Sequence, residues 1–320
     1  MILPRTSTGI LFARNGITRA EVKQRRGAAT LGSYRTEPLP PGALVPSPIE
    51  RNIHDPDAFK RALSPLLENG AAPSRVFLGL PDGSVRLSIL DFQKLPARRA
   101  DTEQLIRWQM EKILLYPLKD ARLDFQTLGE RNGKQRLLAI AMRSEILAQY
   151  EAPFRERRIE PVGLGIVSFH LFNLYLPSMI TASLPEQNFL FLSVIEESFA
   201  ILICRHGVID FVRVKELPPG QSSPAEGAVS GQAERILEEL GVSLSFYHES
   251  GDTPETTHLY VSSDLSLAAM DPAIRERLRM TPVHLSPVPD ASLRMAEGIR
   301  PNLFSPVAAA AAVIGGGDER

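Results

Sequence analysis

Two glycine-containing stretches carry residue types that could bind a phosphate group or a dinucleotide. Gly129–Lys134 is similar to a phosphate-binding loop, but it is one residue short, and Gln135 stands where that motif requires serine or threonine. Gly163-Leu164-Gly165 has two glycines of a dinucleotide fingerprint, and Phe169 stands at or near the place of the third. We interpret the first stretch as a hairpin turn and the second as a packing feature.

Residues that could ligate a metal or act as nucleophiles show no functional spacing. The six histidines follow no metal-binding pattern. Cys204 lies in an apolar, strand-like run and has no recognisable partner base, so we interpret it as a core residue. Because it is the only cysteine, an intrachain disulfide is impossible, which favours a reducing compartment. The sequence predicts neither catalytic residues nor a metal site.

Composition excludes several functional classes. The net charge is −1, so no basic face suggests binding to nucleic acid. The stretch 1–10 lacks the apolar core of a signal peptide, and the apolar run Val307–Ile314 is about half the length that spans a bilayer. We therefore expect a cytoplasmic protein without direct membrane insertion. A length of 320 residues suggests about two structural units.

An amphipathic helix of about four turns is predicted ahead of Pro117. Asp101 or Thr102 provides a helix-start signal, and Pro117 removes the backbone donor that would continue the helix. The helix contains Trp108, the only tryptophan, and the alternating segment Leu123–Thr127 after it predicts a strand. Its apolar positions recur at three- and four-residue spacing: Leu105, Ile106, Met110, Ile113 and Leu114.

The remaining elements form two similar series, with a boundary expected at Leu184-Pro185. Each series opens with three short strands and continues with helices and further strands. A loop rich in Ser, Gly and Pro is expected at Gly220–Gly227. The opening strands are Gly9–Phe12, Arg19–Lys23 and Ala29–Tyr34 in the first half, and Phe189–Ile195, Phe199–Arg205 and Val208–Val214 in the second.

Several of these landmarks resemble the PilM family of pilus-assembly proteins, which are relatives of the division protein FtsA. The similar segments are Leu115–Leu118, Asp124–Gln126, the proline-rich turn Glu37–Val45 and Ser243–Tyr247, and the landmarks span about residues 8 to 314. The resemblance implies a mixed α/β, actin-like (ribonuclease H-like) duplicated fold. Its halves would be 1–184 and 185–320, with an FtsA/PilM-type subdomain inserted at about 76–142.

The resemblance also locates the nucleotide site of the fold, where the expected residues are missing. Actin-like ATPases bind phosphate through turns containing Asp and Gly, because only glycine allows so close a backbone approach. Here the first turn falls at Leu11-Phe12-Ala13, with Thr18 in place of the family's lysine, and the second at Ser193-Val194-Ile195. The glycine pair at the adenosine becomes Ser262-Ser263, which Asp264 follows. We therefore expect no binding of ATP with magnesium and no other cofactor, although Glu196 and Glu197 could in principle replace a lost acid.

The resemblance implies a non-catalytic adaptor of the type IV pilus machine. Its partner would be the cytoplasmic tail of a PilN-like inner-membrane protein, which would hold the chain at the membrane; other motor components and self-association are further expected contacts. The tail would lie in a groove between the first subdomain and the inserted one. The residues expected at that groove are Trp108, Tyr116, Pro117, Leu118 and Phe125.

Three alternatives remain open from the sequence. Trp108 and Tyr116 could instead pack the core of the inserted subdomain, as aromatic residues at helical spacing commonly do. The chain could be an actin-fold ATPase or a kinase-like phosphotransferase with unusual phosphate loops. It could also be the cytoplasmic scaffold of a type II secretion system, which shares the fold.

Overall fold

A computed structural model describes residues 5–25, 28–68, 73–217, 226–249, 251, 256, 258–265, 267–285 and 293–294. Most of the loop expected at Gly220–Gly227, and the whole of Val307–Ile314, lie outside the described residues. The strands are β1 (Arg5–Ala13), β2 (Gly16–Arg25), β3 (Ala28–Pro38), β4 (Arg75–Leu80), β5 (Arg86–Phe92), β6 (Ala121–Arg131), β7 (Lys134–Arg143), β8 (Glu160–Ile166), β9 (Phe189–Ile195), β10 (Ser198–Arg205), β11 (Val208–Glu216), β12 (His258–Ser263), β13 (Thr281–His284) and β14 (Leu293–Arg294). The helices are α1 (Pro56–Glu68), α2 (Arg99–Glu111), α3 (Ser144–Glu156), α4 (Val167–Ala182), α5 (Glu226–Glu249) and α6 (Asp271–Ala273), which continues as a π-helical turn over Ile274–Leu278.

Two of the sheets repeat one topology. The first has the order β14-β3-β2-β1-β4-β8, and the second has the order β11-β10-β9-β12-β13. Apart from the two-residue edge strand β14, which pairs parallel with β3, each has three antiparallel strands followed by two parallel ones. Strand β1 pairs antiparallel with β2 and parallel with β4, as β9 does with β10 and β12. This duplicated arrangement is the mixed α/β, actin-like fold that the sequence predicts.

The central strands β1 and β9 are buried on both faces. Ile10 and Phe12 point into a core that α1 and α3 complete, whereas Leu11 points into a core shared with the second half. Phe191 lies in that shared core, and Leu192 lies in the core beneath α5. Such strands read as continuous apolar runs because neither face meets water.

A third sheet, of order β5-β7-β6, carries α2 and forms a separate unit within the first half. Its own core includes Ile106 and Met110 from α2. The sequence placed the start of this unit at about residue 76. However, β4 pairs with β1 and β8 of the first sheet, so the separate sheet begins only at Arg86.

Helix α2 ends earlier than the sequence predicts. Its last residue is Glu111, six residues ahead of Pro117. Between them the burial alternates: Ile113 and Leu115 are exposed, whereas Leu114 and Tyr116 are buried in the core of the inserted unit. Because burial alternates with a period of two, Leu114 and Tyr116 both face the sheet. The helical burial pattern therefore ends before Pro117.

Candidate functional site

The cleft between the two halves is closed by side chains of the chain itself. The turn between β1 and β2 presents the backbone amides of Arg14 and Asn15, and both donate hydrogen bonds to the carboxylate of Glu196. The distances are 2.6 Å from Arg14 N to Glu196 Oε2 and 2.9 Å from Asn15 N to Glu196 Oε1. Glu196 belongs to the corresponding turn between β9 and β10, in which Ile195 pairs with Ser198.

Further ionic contacts surround this pair of turns. The guanidinium of Arg14 lies 2.6 Å from Glu216 Oε2 and 3.4 Å from Glu197 Oε2. Asp264, which follows β12, accepts a 2.9 Å hydrogen bond from the backbone amide of Glu196. Each turn therefore donates backbone amides to a carboxylate, and Arg14 is held between two more.

A buried carboxyl group, Asp82, lies at the floor of the cleft. It accepts a 3.0 Å hydrogen bond from the backbone amide of Ser168 and lies 3.5 Å from the hydroxyl of Ser198. Burial raises the pKa of Asp82 to about 7, and the nearby Glu216 contributes in the same direction. Next to it, a β-carbon on Gly83 would come within 2.3 Å of Glu216 Oε1, so a larger residue there would require the Glu216 side chain to move.

Burial also raises the pKa of the other carboxyl groups in the cleft. The pKa of Glu196 is raised to about 7, although the amides of Asn15 and Arg14 oppose the shift. The pKa of Asp264 is raised to about 6, and that of Glu216 is raised as well, in both cases mainly by burial. Four carboxyl groups with raised pKa values, those of Asp82, Glu196, Glu216 and Asp264, therefore lie together in this cleft.

The cavity beside these carboxyl groups is small. Its volume is about 20 Å³, and its lining includes Ala13, Arg14, Asp82, Ile195 and Glu196. A cavity of that size holds about one water molecule. Drug-sized ligands occupy pockets of about 300 Å³ or more.

The expected nucleotide positions are only partly brought together. Ala13 and Ile195 line the cavity, but Leu11 is buried in the shared core, and the hydroxyl of Thr18 lies 3.0 Å from that of Thr36. Ser193 and Ser262 are buried and face each other on paired strands, while the hydroxyl of Ser263 accepts a hydrogen bond from the amide of Leu265. These assignments by resemblance stay predictions.

Sequence reasoning missed the residues that close the cleft. Arg14, Asp82 and Glu216 gave no motif, and Glu196 was considered only as a substitute for a catalytic acid. The available signal was positional: Glu196 and Glu197 fall in a hairpin turn that is equivalent to the turn of Arg14 and Asn15.

A second surface lies at the seam between the first half and the inserted sheet. A groove of about 280 Å³ is lined by Arg51, Arg143, Glu145, Ile146 and Gln149. Arg143, at the end of β7, connects the two units, because it donates a 2.7 Å hydrogen bond to the carbonyl of Ile49 and lies 2.9 Å from Glu145.

Donor groups gather behind this groove. Arg86 pairs with Ala141, and Arg143 lies two residues further along β7, so both arginines project from the face that packs against α2 and Tyr116. Among the described residues, Tyr116 OH, Arg86 Nε and Arg143 Nε are buried without a hydrogen-bond partner. Burial raises the pKa of Tyr116, and the two guanidinium groups oppose that shift. The Tyr116 hydroxyl can donate or accept a hydrogen bond, whereas each arginine Nε can only donate one.

The other residues predicted for partner binding separate into two groups. Leu118 and Phe125 are half-buried and pack on the same core as Tyr116, and Pro117 beside them is exposed. Trp108 lies on the outer side of α2 with 54% of its surface exposed, and the ammonium group of Lys112 lies 3.6 Å from its ring centre. The structure therefore places Tyr116 in the core and Trp108 at the surface, and their role in binding stays a prediction.

A third surface joins the inserted sheet to the second half. The buried carboxylate of Asp210 pairs with Arg136, lies 2.6 Å from Arg131 and accepts a 2.5 Å hydrogen bond from the hydroxyl of Tyr247. The groove beside it measures about 540 Å³, and Phe246 on its wall is 60% exposed.

Membrane-spanning helices and metal-binding clusters are both absent from the described part of the chain. No helix among those residues has the length and apolar character that crossing a membrane requires. Within the same residues, no group of three or more His, Cys, Asp or Glu side chains is arranged to hold a metal ion.

Comparison with known proteins identifies structures of similar shape. No protein-family model and no curated protein matches this sequence. A chain of the PilM-PilN type IV pilus biogenesis complex superposes with a TM-score of 0.78 at 20% identity, covering 97% of this chain and 98% of that one. A Bacteroides thetaiotaomicron protein with an actin-like ATPase fold and unknown function superposes with a TM-score of 0.53 at 8% identity, covering 95% of each chain.

A third structure is more distant. It is the cytoplasmic domain of EpsL, an inner-membrane component of the type II secretion system of Vibrio cholerae, with a TM-score of 0.47 at 7% identity over 95% of this chain and 94% of that one. We draw no functional argument from a likeness of that size. The two closer likenesses show the fold: this chain has an actin-like fold with the architecture of the matched chain in the PilM-PilN complex.

Proposed function

We propose that this chain is a PilM-type adaptor of type IV pilus assembly, without catalytic activity, that binds the cytoplasmic tail of a PilN-like inner-membrane protein. The observation that carries the proposal is the superposition on a chain of the PilM-PilN complex along nearly the full length of both chains. The inserted three-stranded sheet lies within that superposed length, as the resemblance in the sequence predicts.

The closed cleft supports the non-catalytic part of the proposal. Phosphoryl transfer relies on backbone amides and cations aimed at phosphate oxygens. Here the amides of Arg14 and Asn15 are already bonded to Glu196, and the guanidinium of Arg14 is paired with Glu197 and Glu216. A triphosphate would have to displace these carboxylates and would then meet their negative charge.

The seam groove is the surface that we assign to the partner tail. It lies where β7 of the inserted sheet meets α3 of the first half, and an extended peptide can bind such a groove through main-chain hydrogen bonds and side-chain pockets. None of the five residues predicted for partner binding lines it, so their role stays a separate prediction. Arg51 and Arg143 line the groove, so their guanidinium groups could donate hydrogen bonds to carbonyl or carboxylate oxygens of the peptide. Recruitment through that tail would place the chain on the cytoplasmic side of the inner membrane.

The experiment is to block the groove and measure partner affinity. In Glu145→Trp, a bulky side chain projects into the groove from an exposed position of α3. The matched control is Glu156→Trp, which is exposed on the same helix and outside the groove lining. Binding of a synthetic peptide with the cytoplasmic tail sequence of the PilN-like protein of the same genome is measured by titration calorimetry.

We expect Glu145→Trp to weaken the peptide at least about tenfold, which corresponds to about 1.4 kcal/mol. Glu156→Trp should leave the affinity unchanged, and both variants should unfold as the parent does. Absence of binding to the parent chain would overturn the proposed function. Equal affinities for both variants would overturn only the assignment of the groove.

A further inference from the structure

The most specific arrangement not explained by partner binding is the contact between the two equivalent hairpin turns. In the first turn, two successive amides, those of Arg14 and Asn15, point to one place. Successive backbone amides of this kind form a small anion-binding nest. One anion, the carboxylate of Glu196, fills it with each of its oxygens on one amide.

This anion comes from the other half of the molecule. Glu196 is separated from Arg14 by 182 residues and lies between β9 and β10. Its own backbone amide donates to Asp264 within the second half, which fixes the turn, and the guanidinium of Arg14 reaches Glu197 and Glu216 beside it. These contacts across the cleft thus have their donors in the first half and their carboxylate acceptors in the second, and they tie the two sheets together at the ends of β1 and β9.

The backbone at Glu196 has the conformation of a tight hairpin turn. Its φ angle is +55°, in the left-handed region, as it is at Asn132 and His206 in two other hairpin turns. The carboxylate is half-buried, and burial raises the pKa of Glu196. The amides of Arg14 and Asn15 oppose that shift, so they offset part of the cost of withdrawing the carboxylate from water.

We propose that Glu196 is a built-in anion that occupies the amide nest of Arg14 and Asn15 in the β1–β2 turn and holds the two halves closed without a nucleotide. The carboxylate fills the anion site of the first half, and because it belongs to the second half it keeps the two turns together. Removing the carboxylate should loosen the closure and leave a vacant anion site on the amides of Arg14 and Asn15. The proposal is independent of the identity of the partner.

Chemical rescue tests the proposal directly. Glu196→Ala removes the carboxylate and leaves space for a small one, and formate is the probe, with chloride at the same ionic strength as its reference. Hydrogen exchange of the peptide that contains Arg14 and Asn15 measures the protection of these amides, and the thermal midpoint measures the stability of the whole chain. The matched control is Glu197→Ala, because Glu197 is the neighbouring acid but contacts only the side chain of Arg14, at 3.4 Å.

In Glu196→Ala we expect exchange of these amides to accelerate at least about tenfold, since their acceptor is gone. Formate, but not chloride, should restore both slow exchange and the thermal midpoint, and it should change neither the parent nor Glu197→Ala. Slow exchange in Glu196→Ala without formate would overturn the proposal, and so would equal effects of formate and chloride.

A second variant, Glu196→Gln, tests the same proposal if Glu196→Ala does not fold. Glu196→Gln keeps the shape and one oxygen acceptor, so its amides should exchange at an intermediate rate. Formate should not rescue it, because the amide group still fills the space. Exchange in Glu196→Gln as slow as in the parent would show that the negative charge is not what holds the turn, which would also overturn the proposal.

Discussion

Tyr116 provides the sharpest test of how the inserted unit is built. Only 8% of its surface is exposed, and its ring packs in the core of that unit beside Ile106 and Met110. Replacement by alanine removes the ring from a packed environment, which typically costs about 3–5 kcal/mol for a large aromatic residue. We therefore expect Tyr116→Ala to lower the free energy of unfolding of the inserted unit by that amount.

Replacement by phenylalanine should have the opposite effect. The hydroxyl of Tyr116 is buried without a hydrogen-bond partner among the described residues, and such a group costs about 1–3 kcal/mol. Tyr116→Phe keeps the ring, so we expect it to raise the free energy of unfolding by about 1 kcal/mol.

Urea unfolding of the full chain, followed both by tryptophan fluorescence and by circular dichroism, measures both changes. Trp108 lies in α2 of the same unit, so its fluorescence reports that unit specifically. A loss below about 1 kcal/mol for Tyr116→Ala would refute the core placement. A loss of stability in Tyr116→Phe would show that the hydroxyl has a partner in solution. If Tyr116→Phe is stable but binds the peptide more weakly, the hydroxyl contacts the partner.

Three further predictions follow from burial and charge. The pKa of Asp82 is raised from 3.8 to about 7, so its contribution to stability is complete below about pH 4 and is lost as the pH rises through 7. Between pH 4 and 8, the thermal midpoint of Asp82→Asn should therefore fall less steeply with pH than that of the parent, and an equal slope would contradict this assignment. Trp108 is 54% exposed, so Trp108→Ala should change the free energy of unfolding by no more than about 0.5 kcal/mol. Urea unfolding followed by circular dichroism measures this change, and a loss of several kcal/mol would place the ring in a core. Titration calorimetry with ATP and magnesium should give no binding, because Glu196 occupies the amides of Arg14 and Asn15, and micromolar affinity would revive the phosphotransferase alternative.

Much of the fold could be predicted because its signals are local. The apolar runs of β1 and β9 and the strand-like segment of β2 depend on residues within a few positions of one another, and these elements form as the sequence predicts. The absence of glycine from Leu11-Phe12-Ala13 and from Ser193-Val194-Ile195 was likewise visible directly.

Other features were decided only by the tertiary structure. The start of the inserted unit was placed too early because the pairing of β4 with β1 and β8 is parallel and joins segments distant in the chain, which no local pattern specifies. The early end of α2 depends on where Leu114 and Tyr116 meet the third sheet, and a helical spacing cannot show that.

The cleft between the two halves combines a feature that the sequence determined with one that only the tertiary structure decided. The sequence by itself determined that Leu11-Phe12-Ala13 and Ser193-Val194-Ile195 contain neither glycine nor an acid, since residue types alone decide that. It could not determine which groups meet in the cleft, because Glu196 reaches Arg14 across 182 residues and only when two sheets of equal topology face each other. Backbone amides have no sequence signature, so their partner is decided by which side chain the fold brings within hydrogen-bond distance.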